Sequence, residues 1–127
     1  MITFNKLKYY FLIIFVLVNI FYIAPCYSLS SREDFFQNAL DLTAGGKFNI
    51  ALQEWNLYLD TYPDDAAAFS NRGNVKLVIG DLEGSIDDQN HAISLNPTEI
   101  DPYINRGIAE ETLGLWSQAK KDYMFVL

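Results

Sequence analysis

Few side chains in this sequence are of the types that carry covalent or metal chemistry. His91 is the only histidine and Cys26 the only cysteine. A zinc cage of His and Cys ligands and an intramolecular disulfide therefore cannot be assembled. We expect His91 to be a half-buried packing residue near the end of a helix. The sequence predicts no metal site and no cofactor.

Two pairs of adjacent carboxylates are the remaining candidates for acid–base chemistry. Asp87 and Asp88 follow one another on a predicted helix, where successive side chains point about 100 degrees apart, so they do not form a paired-carboxylate site. Asp64 and Asp65 lie where a helix is predicted to begin and are interpreted as caps. The glycines form neither GxxxxGK nor GxGxxG. We predict that the protein is not an enzyme.

Charge is distributed unevenly along the 127 residues. Residues 32–127 contain all 16 acidic side chains and seven of the nine basic ones, a net charge of −9. A phosphate backbone is bound by clustered Lys and Arg, so we predict no nucleic-acid partner. Solubility is the explanation that we prefer for the acidity, and attraction of a basic partner is the alternative.

The elements that must position these residues repeat along the chain. Five sets of positions recur with a period of 34 residues. The sets are Gly46, Gly80 and Gly114; Phe35, Phe69 and Tyr103; Ala39, Gly73 and Gly107; Ala51, Ser85 and Ala119; and Pro63 and Pro97. They define units of residues 32–65, 66–99 and 100–127, of which the third is incomplete.

Each unit has the pattern of two helices joined by a glycine turn. In the second unit the first helix runs to about Ile79, Gly80 permits a left-handed turn, and Asp81 caps the next helix. In the third unit Asp101 is the predicted cap and Pro102 lies in the first turn. A single hairpin cannot bury its apolar face alone. The prediction is therefore an all-α solenoid of six helices and about 2.8 repeats.

The recurring small and aromatic residues indicate how the hairpins pack. We expect the small residues of the first helices to face those of the second helices, so that the backbones approach closely. These are Ala39, Gly73 and Gly107 against Ala51, Ser85 and Ala119. We expect aromatic residues to fill the space between hairpins, namely Phe35, Phe69, Tyr103, Trp55 and Tyr123. Trp116 is also expected in the core.

Over residues 32–127 the pattern resembles the tetratricopeptide repeat family. The family's order of aromatic, Gly, Ala and Pro positions is matched best by Phe69, Gly73, Ser85, Ala92 and Pro97. The run Phe69-Ser70-Asn71-Arg72-Gly73-Asn74 is close to the family's first-helix consensus. The departures are Tyr58 and Val126 in place of alanine, Gln89 in place of an aromatic residue, and Arg72 and Arg106 in place of leucine. We expect them to weaken the packing slightly without changing the fold.

The resemblance implies a concave groove, lined by the first helices, that binds extended or helical peptides. By position it contains Glu33, Phe36, Gln37 and Leu40 from the first unit, Ser70, Asn71, Asn74 and Leu77 from the second, and Asp101, Ile104, Asn105 and Ile108 from the third. The amides can pair with a peptide backbone, and the apolar side chains offer contact area. The alternative is that these apolar residues pack against neighbouring hairpins alone.

One subset of the family binds the C-terminal carboxylate of chaperones with two lysines, two asparagines and an arginine. The matching positions here hold Phe36, Leu40, Asn71, Asp101 and Asn105. One of the five groups is retained, and Asp101 would repel a carboxylate. We therefore predict no carboxylate-clamp binding.

The first 28 residues have the layout of a secretory signal or a signal anchor. Lys6 and Lys8 precede an uncharged apolar run at residues 9–24, which predicts an N-terminal hydrophobic helix. Such a helix rises roughly 24 Å, short of the roughly 30 Å hydrocarbon core, so a cleaved signal and a retained anchor both stay open. Lipidation of Cys26 is a further alternative, which the preceding Pro25 disfavours.

The charge asymmetry around this segment predicts its orientation. Positive charge precedes it and Glu33 and Asp34 follow it, so residues 32–127 are expected to cross the membrane. The predicted location is extracytoplasmic, in a periplasm, in a thylakoid lumen or outside the cell, with anchoring through residues 9–24 if the segment is uncleaved.

The third unit stops inside its second helix, and its last five residues, YMFVL, provide no polar outer face. Either the sequence is a truncated form of a longer repeat protein, or another subunit covers this open end. The sequence thus predicts a non-catalytic scaffold or assembly factor that binds a protein or peptide partner in its groove. The alternative is a membrane-anchored structural subunit of a larger complex.

Overall fold

A computed structural model describes residues 31–127, which are helical and contain no strand. The six helices are α1 (Arg32–Ala44), α2 (Phe48–Thr61), α3 (Ala66–Val78), α4 (Leu82–Leu95), α5 (Asp101–Thr112) and α6 (Trp116–Val126). The six predicted helices and the hairpin architecture are confirmed. None of these helices combines the length and the apolarity that a membrane crossing requires. The signal or anchor predicted at residues 1–28, with its hydrophobic helix, lies outside the described residues.

Successive helices pack against one another in chain order, and first helices also contact the next first helix. Thus α1 packs on α2, α3 on α4 and α5 on α6, while α1 contacts α3 and α3 contacts α5. This arrangement brings the first helices together along one side of the stack. It is the arrangement that a groove lined by first helices requires.

The turn within each hairpin is built in the same way. Gly46, Gly80 and Gly114 have φ angles of +71°, +86° and +78°, a region that is costly for residues with a Cβ atom. In each turn the residue after the glycine donates its N–H to the carbonyl five residues earlier. These bonds are Lys47 to Leu42, Asp81 to Lys76 and Leu115 to Glu110, at 2.8–2.9 Å. The period of 34 residues is therefore a period of identical turns.

The helix caps agree with the sequence in two places and differ in one. Asp65 caps α3 by accepting from the N–H of Ala68, and Asp81 caps α4 in the same manner. Asp101 is not the cap of α5. Ile100 holds that position, and Asp101 is the first helical residue. The helix starts one residue earlier than predicted, and Pro102 is compatible with this start because the first turn does not need its missing N–H. The Asp101 carboxylate still lies at the positive end of the helix.

An aromatic cluster forms the core of the first hairpin. Trp55 and Tyr58 are fully buried, and Tyr58 is the ring that joins the others. It contacts Phe35, Phe36, Trp55 and Tyr62 at 4.9–6.0 Å between ring centroids. Such pairs add roughly 0.5–1.5 kcal/mol each beyond the area that they bury. The prediction that Tyr58 weakens the packing was wrong, since it is the centre of this cluster.

The glycines of the first helices do allow close packing, but against partners other than those predicted. A Cβ atom at Gly73 would lie 2.5 Å from Nε2 of Gln89, and one at Gly107 would lie 2.6 Å from the ring of Tyr123. Gln89 and Tyr123 are one repeat apart, so both hairpins use the same contact. Ser85 and Ala119, the predicted partners, are buried, but their atoms are not the ones nearest to Gly73 and Gly107. Larger side chains fill the space that the glycines leave.

Two further expectations need correction. Trp116 is 65% exposed, because it begins α6 beside the last glycine turn, on the solvent side of the third hairpin. His91 is exposed rather than half-buried, and its ring stacks on Phe69 with the centroids 5.0 Å apart. It packs from the outside of the hairpin.

Candidate functional site

Arginines hold the first helices in position. Arg72 on α3 donates two hydrogen bonds to Asp88 on α4, at 2.8 and 2.7 Å, and a third to Asn56 on α2, at 2.9 Å. The same three contacts recur one repeat later, in Arg106, Asp122 and Asn90. Each arginine thus joins three helices. A buried carboxylate lies opposite each arginine, a contact that the prediction of weaker packing did not include.

The two arginine clusters differ at one position. In the second hairpin Lys76 adds an ion pair to Asp88 at 2.9 Å. One repeat later the equivalent residue is Glu110, which is 8% exposed and whose Oε2 atom has no hydrogen-bond partner. Burial, and then the nearby Asp122, raise the pKa of Glu110, whereas Arg106 acts in the opposite sense. The third hairpin therefore contains two carboxylates for one arginine.

A concave cavity of about 370 Å³ opens between α3 and α5. It is lined by Ala66, Ala67, Ser70, Asn71, Asn74, Ala92, Asn96, Glu99, Asp101, Pro102, Ile104 and Asn105. Six of the twelve residues predicted for the groove are among them. These are Ser70, Asn71, Asn74, Asp101, Ile104 and Asn105. Three of the four residues predicted from the second unit and three of the four from the third thus line one cavity.

The asparagines of this cavity are not equivalent. The side chain of Asn71 donates to the carbonyl of Ala67 at 2.8 Å, and that of Asn96 bonds to Glu99 and Thr98. Asn74 and Asn105 are half-buried and form no side-chain hydrogen bond with any other part of the described chain. Each amide can donate and accept. Two hydrogen-bonding groups are therefore available to a molecule in the cavity.

The first-unit residues are arranged differently. Glu33 and Phe36 line a separate cavity of about 280 Å³, together with Arg32, Tyr58, Asp65 and Ala67. The ring of Phe36 also packs edge-on against Trp55 at 5.0 Å, and Leu40 packs against the same core. Phe36 and Leu40 therefore pack against neighbouring residues, which is the alternative interpretation of the apolar groove residues. Gln37 is exposed and donates to Asp41.

Leu77 and Ile108 complete the predicted set. Leu77 is half-buried and Ile108 is exposed, and neither lines the larger cavity. Both lie one turn further along their helices than the amides that do line it.

A polar network lies beside the smaller cavity. The Nη2 atom of Arg32 and the hydroxyl of Tyr58 both donate to Asp65 at 2.7 Å. Burial alone would raise the pKa of Asp65, but hydrogen bonds from Tyr58, from Arg32 and from the Ala68 N–H lower it. Burial raises the pKa of Tyr58. The guanidinium of Arg32 is therefore already paired with the carboxylate of Asp65.

Six residues of the larger cavity were not predicted from the sequence, and two of them are polar. Asn96 and Glu99 come from the connection between α4 and α5. A signal for them exists in the sequence, because Asn96 and Pro97 mark the end of α4 shortly before the first helix of the next unit begins. A groove residue in this fold need not lie on a first helix.

The carboxylates of this region do not form a metal cluster. Within residues 31–127 no group of three or more His, Cys, Asp or Glu side chains is arranged to hold a metal ion.

No family model matches the chain, but its sequence is similar to several characterised proteins. Human Tetratricopeptide repeat protein 6 is 32% identical over 102 residues, which are 80% of this chain and 19% of that protein. Zebrafish (Danio rerio) Tetratricopeptide repeat protein 36 is 30% identical over 82 residues, 61% of this chain and 44% of that one. Human Sperm-associated antigen 1 is 31% identical over 99 residues, which are 77% of this chain and 11% of that protein. The chain spans less than half the length of these relatives.

Solved structures show the same fold. The first tetratricopeptide domain of Spaghetti (RPAP3), bound to the HSP90 peptide SRMEEVD, superposes with a TM-score of 0.73 at 25% identity over 76% of each chain. The tetratricopeptide domain of Arabidopsis OM64 gives 0.74 at 20% identity, over 76% of this chain and 80% of that one. With three identical glycine turns, first helices along one side and relatives of this kind, the chain belongs to the tetratricopeptide repeat family, whose hairpins form protein-interaction modules.

Proposed function

We propose that this protein is a non-catalytic scaffold or assembly factor that binds a segment of another protein in the cavity between α3 and α5. The observation that carries the proposal is the pair of half-buried amides, Asn74 and Asn105, which have no partner within the described chain and lie in a concave cavity. A peptide backbone supplies both the donors and the acceptors that such amides require.

The structural neighbours support a peptide as the occupant. Both tetratricopeptide domains of Spaghetti (RPAP3) were solved with the HSP90 peptide SRMEEVD. This chain holds Phe36, Leu40 and Asp101 where the carboxylate-binding subset has other groups, and Phe36 and Leu40 pack into the core. The proposed peptide is therefore bound by amides and apolar contact, without recognition of a terminal carboxylate.

The proposal is tested with the full chain in a mild non-ionic detergent. Peptides that bind the wild type are selected from a random library. Their affinities are then measured for the wild type and for the double variant Asn74→Ala with Asn105→Ala. Losing two hydrogen bonds of roughly 0.5–1.5 kcal/mol each predicts binding that is roughly 5- to 150-fold weaker.

The matched control is the pair Gln53→Ala and Gln118→Ala. These two amides are exposed on second helices and do not line the cavity, so their loss should leave the affinity unchanged. Equal effects of the two double variants, or no saturable binding by any selected peptide, would contradict the proposal.

We also propose that the domain acts on the extracytoplasmic side of a membrane, either released or anchored through residues 9–24. The support is the sequence pattern of residues 1–28, with Lys6 and Lys8 before an apolar run. The intact mass of the protein from native membrane and soluble fractions tests this. A soluble species that begins near Tyr27 or Leu29 indicates a released scaffold, and a full-length membrane species indicates an anchored one. A full-length soluble species would contradict both.

A structural subunit is the second candidate function, favoured by the outer face of α6. Met124 is 65% exposed and Phe125 58% exposed, although both are apolar. Apolar side chains exposed together mark contact surfaces in many proteins. The molar mass of the full chain in detergent, compared with that of Phe125→Glu, tests this candidate. Dissociation of a wild-type oligomer would favour a subunit contact, and a wild-type monomer would argue against a self-contact.

A further inference from the structure

The charges of the cavity between α3 and α5 have one sign. Of the residues that line it, Glu99 and Asp101 are the charged ones, and both are acidic. The N–H ends of α3 and α5 both border the cavity and contribute roughly +0.5 of an elementary charge each. The two carboxylates outweigh these dipoles about twofold, so the field in the cavity is negative.

The cations on the neighbouring helices do not compensate for this charge. Arg72 and Lys76 on α3 are both paired with Asp88. Arg106 on α5 is paired with Asp122. These pairs lie between the helices of each hairpin, because their carboxylates come from second helices. The positive charges of α3 and α5 are therefore held at the carboxylates of second helices, and none of them lines the cavity.

The carboxylates themselves are not neutralised. Glu99 accepts one hydrogen bond, at 3.2 Å, from the uncharged amide of Asn96. Asp101 is exposed in the first turn of α5 and forms no ion pair with another described residue. Both are within the cavity that also holds the two unbonded amides. The cavity thus offers hydrogen bonds and uncompensated negative charge together.

We propose that the occupant of this cavity is a cationic peptide segment, whose Lys or Arg side chains lie against Glu99 and Asp101 while its backbone pairs with Asn74 and Asn105. This rests on the proposed function and adds the chemical class of the partner. Ile104 provides apolar surface for the aliphatic stem of such a side chain. An acidic segment would meet two like charges at the same place.

Three capped synthetic peptides of equal length test the inference, with two central lysines, two glutamates or two serines. Their affinities for the full chain in non-ionic detergent are measured at low and high salt. The lysine peptide should bind best, and its binding should weaken as salt rises. Glu99→Gln with Asp101→Asn should weaken it about tenfold, as expected for two partly screened ion pairs, and should abolish the preference over the serine peptide.

The control variant is Glu83→Gln with Asp87→Asn, which removes the same charge from exposed positions on α4. It should leave the affinity of the lysine peptide within about twofold of the wild type. Equal weakening by both variants would overturn the inference, because the attraction would then come from the net charge of the whole domain.

Two further outcomes separate this inference from the proposed function. If the serine or glutamate peptide binds best and binding is lost in Asn74→Ala with Asn105→Ala, the cavity binds peptides but the cationic class is wrong. If no peptide of the three, and none selected from the random library, binds saturably, the proposed function fails as well.

Discussion

Glu110 and Lys76 occupy equivalent positions in successive hairpins and have opposite charges. Lys76 adds a second cation to the Arg72–Asp88 pair, whereas Glu110 adds a second carboxylate to the Arg106–Asp122 pair. A buried carboxylate oxygen without a hydrogen-bond partner retains the cost of its desolvation. We infer that the third hairpin is the less stable of the two arginine-linked hairpins.

Exchanging these residues tests the inference. Glu110→Lys should raise the free energy of unfolding by about 1–2 kcal/mol, because it gives Asp122 a second cation and removes an unsatisfied carboxylate. Lys76→Glu should lower it by a similar amount. Urea unfolding followed by circular dichroism measures both changes. Destabilisation by Glu110→Lys would show that Glu110 has a partner that the geometry does not reveal.

The raised pKa of Glu110 also predicts a pH dependence with a definite sign. The native protein binds the proton of Glu110 at a higher pH than the unfolded chain, so this group favours folding fully below the ordinary value of 4.5. That contribution is lost as pH rises through the raised value. Glu110→Gln imitates the protonated form, and should be more stable than the wild type at neutral pH.

The measurement is the difference in unfolding free energy between Glu110→Gln and the wild type as a function of pH. The difference should shrink as pH falls towards the ordinary value, while contributions from other carboxylates cancel between the two proteins. A difference that is constant, or that grows on acidification, would contradict the assignment.

At the scale of the helices, one arginine holds three of them together. Arg72 joins α2, α3 and α4, and Arg106 joins α4, α5 and α6. Leucine is the usual residue of the family at both positions. Replacement by leucine therefore leaves a residue that the fold accepts and removes the ion pair.

The two replacements should differ in their effect. Arg72→Leu should lower the free energy of unfolding by roughly 1–3 kcal/mol, since Lys76 remains to pair with Asp88. Arg106→Leu should lower it by roughly 3–5 kcal/mol, since Asp122 would then face Glu110 with no cation. Thermal and urea unfolding of both variants measure the comparison. Losses of equal size, or a gain from leucine, would show that the carboxylates find other partners.

These arginine contacts could have been predicted from the sequence in part. The spacing of Arg72 and Asp88 is repeated by Arg106 and Asp122, so the pairs recur with the period that defines the hairpins. The family pattern has leucine at both positions and gives no indication of the carboxylate that lies opposite each arginine. Tyr58 illustrates the same point, because Phe35 and Phe36, two of its ring contacts, lie on the preceding helix, where the spacing within α2 gives no indication of them.

At the scale of the whole molecule, the repeat predicted the six helices. Six of the twelve residues predicted for the groove line one cavity, and their part in binding stays a prediction. A strict period fixes which side of each first helix faces the next, and Asn74 and Asn105 line the same cavity. The first unit could not be placed in this way. Trp55 and Tyr58 are large residues specific to its second helix, and Phe36 packs against both of them. Glu99 lies in a connection, where helical periodicity carries no information.

The acidic cavity makes a prediction about which peptides the protein rejects. A peptide with a free C-terminal carboxylate and acidic side chains should show no saturable binding, because Asp101 repels the carboxylate and no unpaired lysine or arginine lines the cavity. Titration with the free acid and with its C-terminal amide measures this. Tight binding of the free acid that is lost on amidation would contradict the prediction.

The proposed peptide lies along the first helices, between α3 and α5. Amide chemical shifts of the isotope-labelled full chain, recorded during titration with the lysine peptide, test it most directly. We predict that the shift changes concentrate at Ser70, Asn74, Ile104 and Asn105. Changes confined to α2 and α4, or to the apolar outer face of α6, would contradict the account and would favour the structural-subunit alternative.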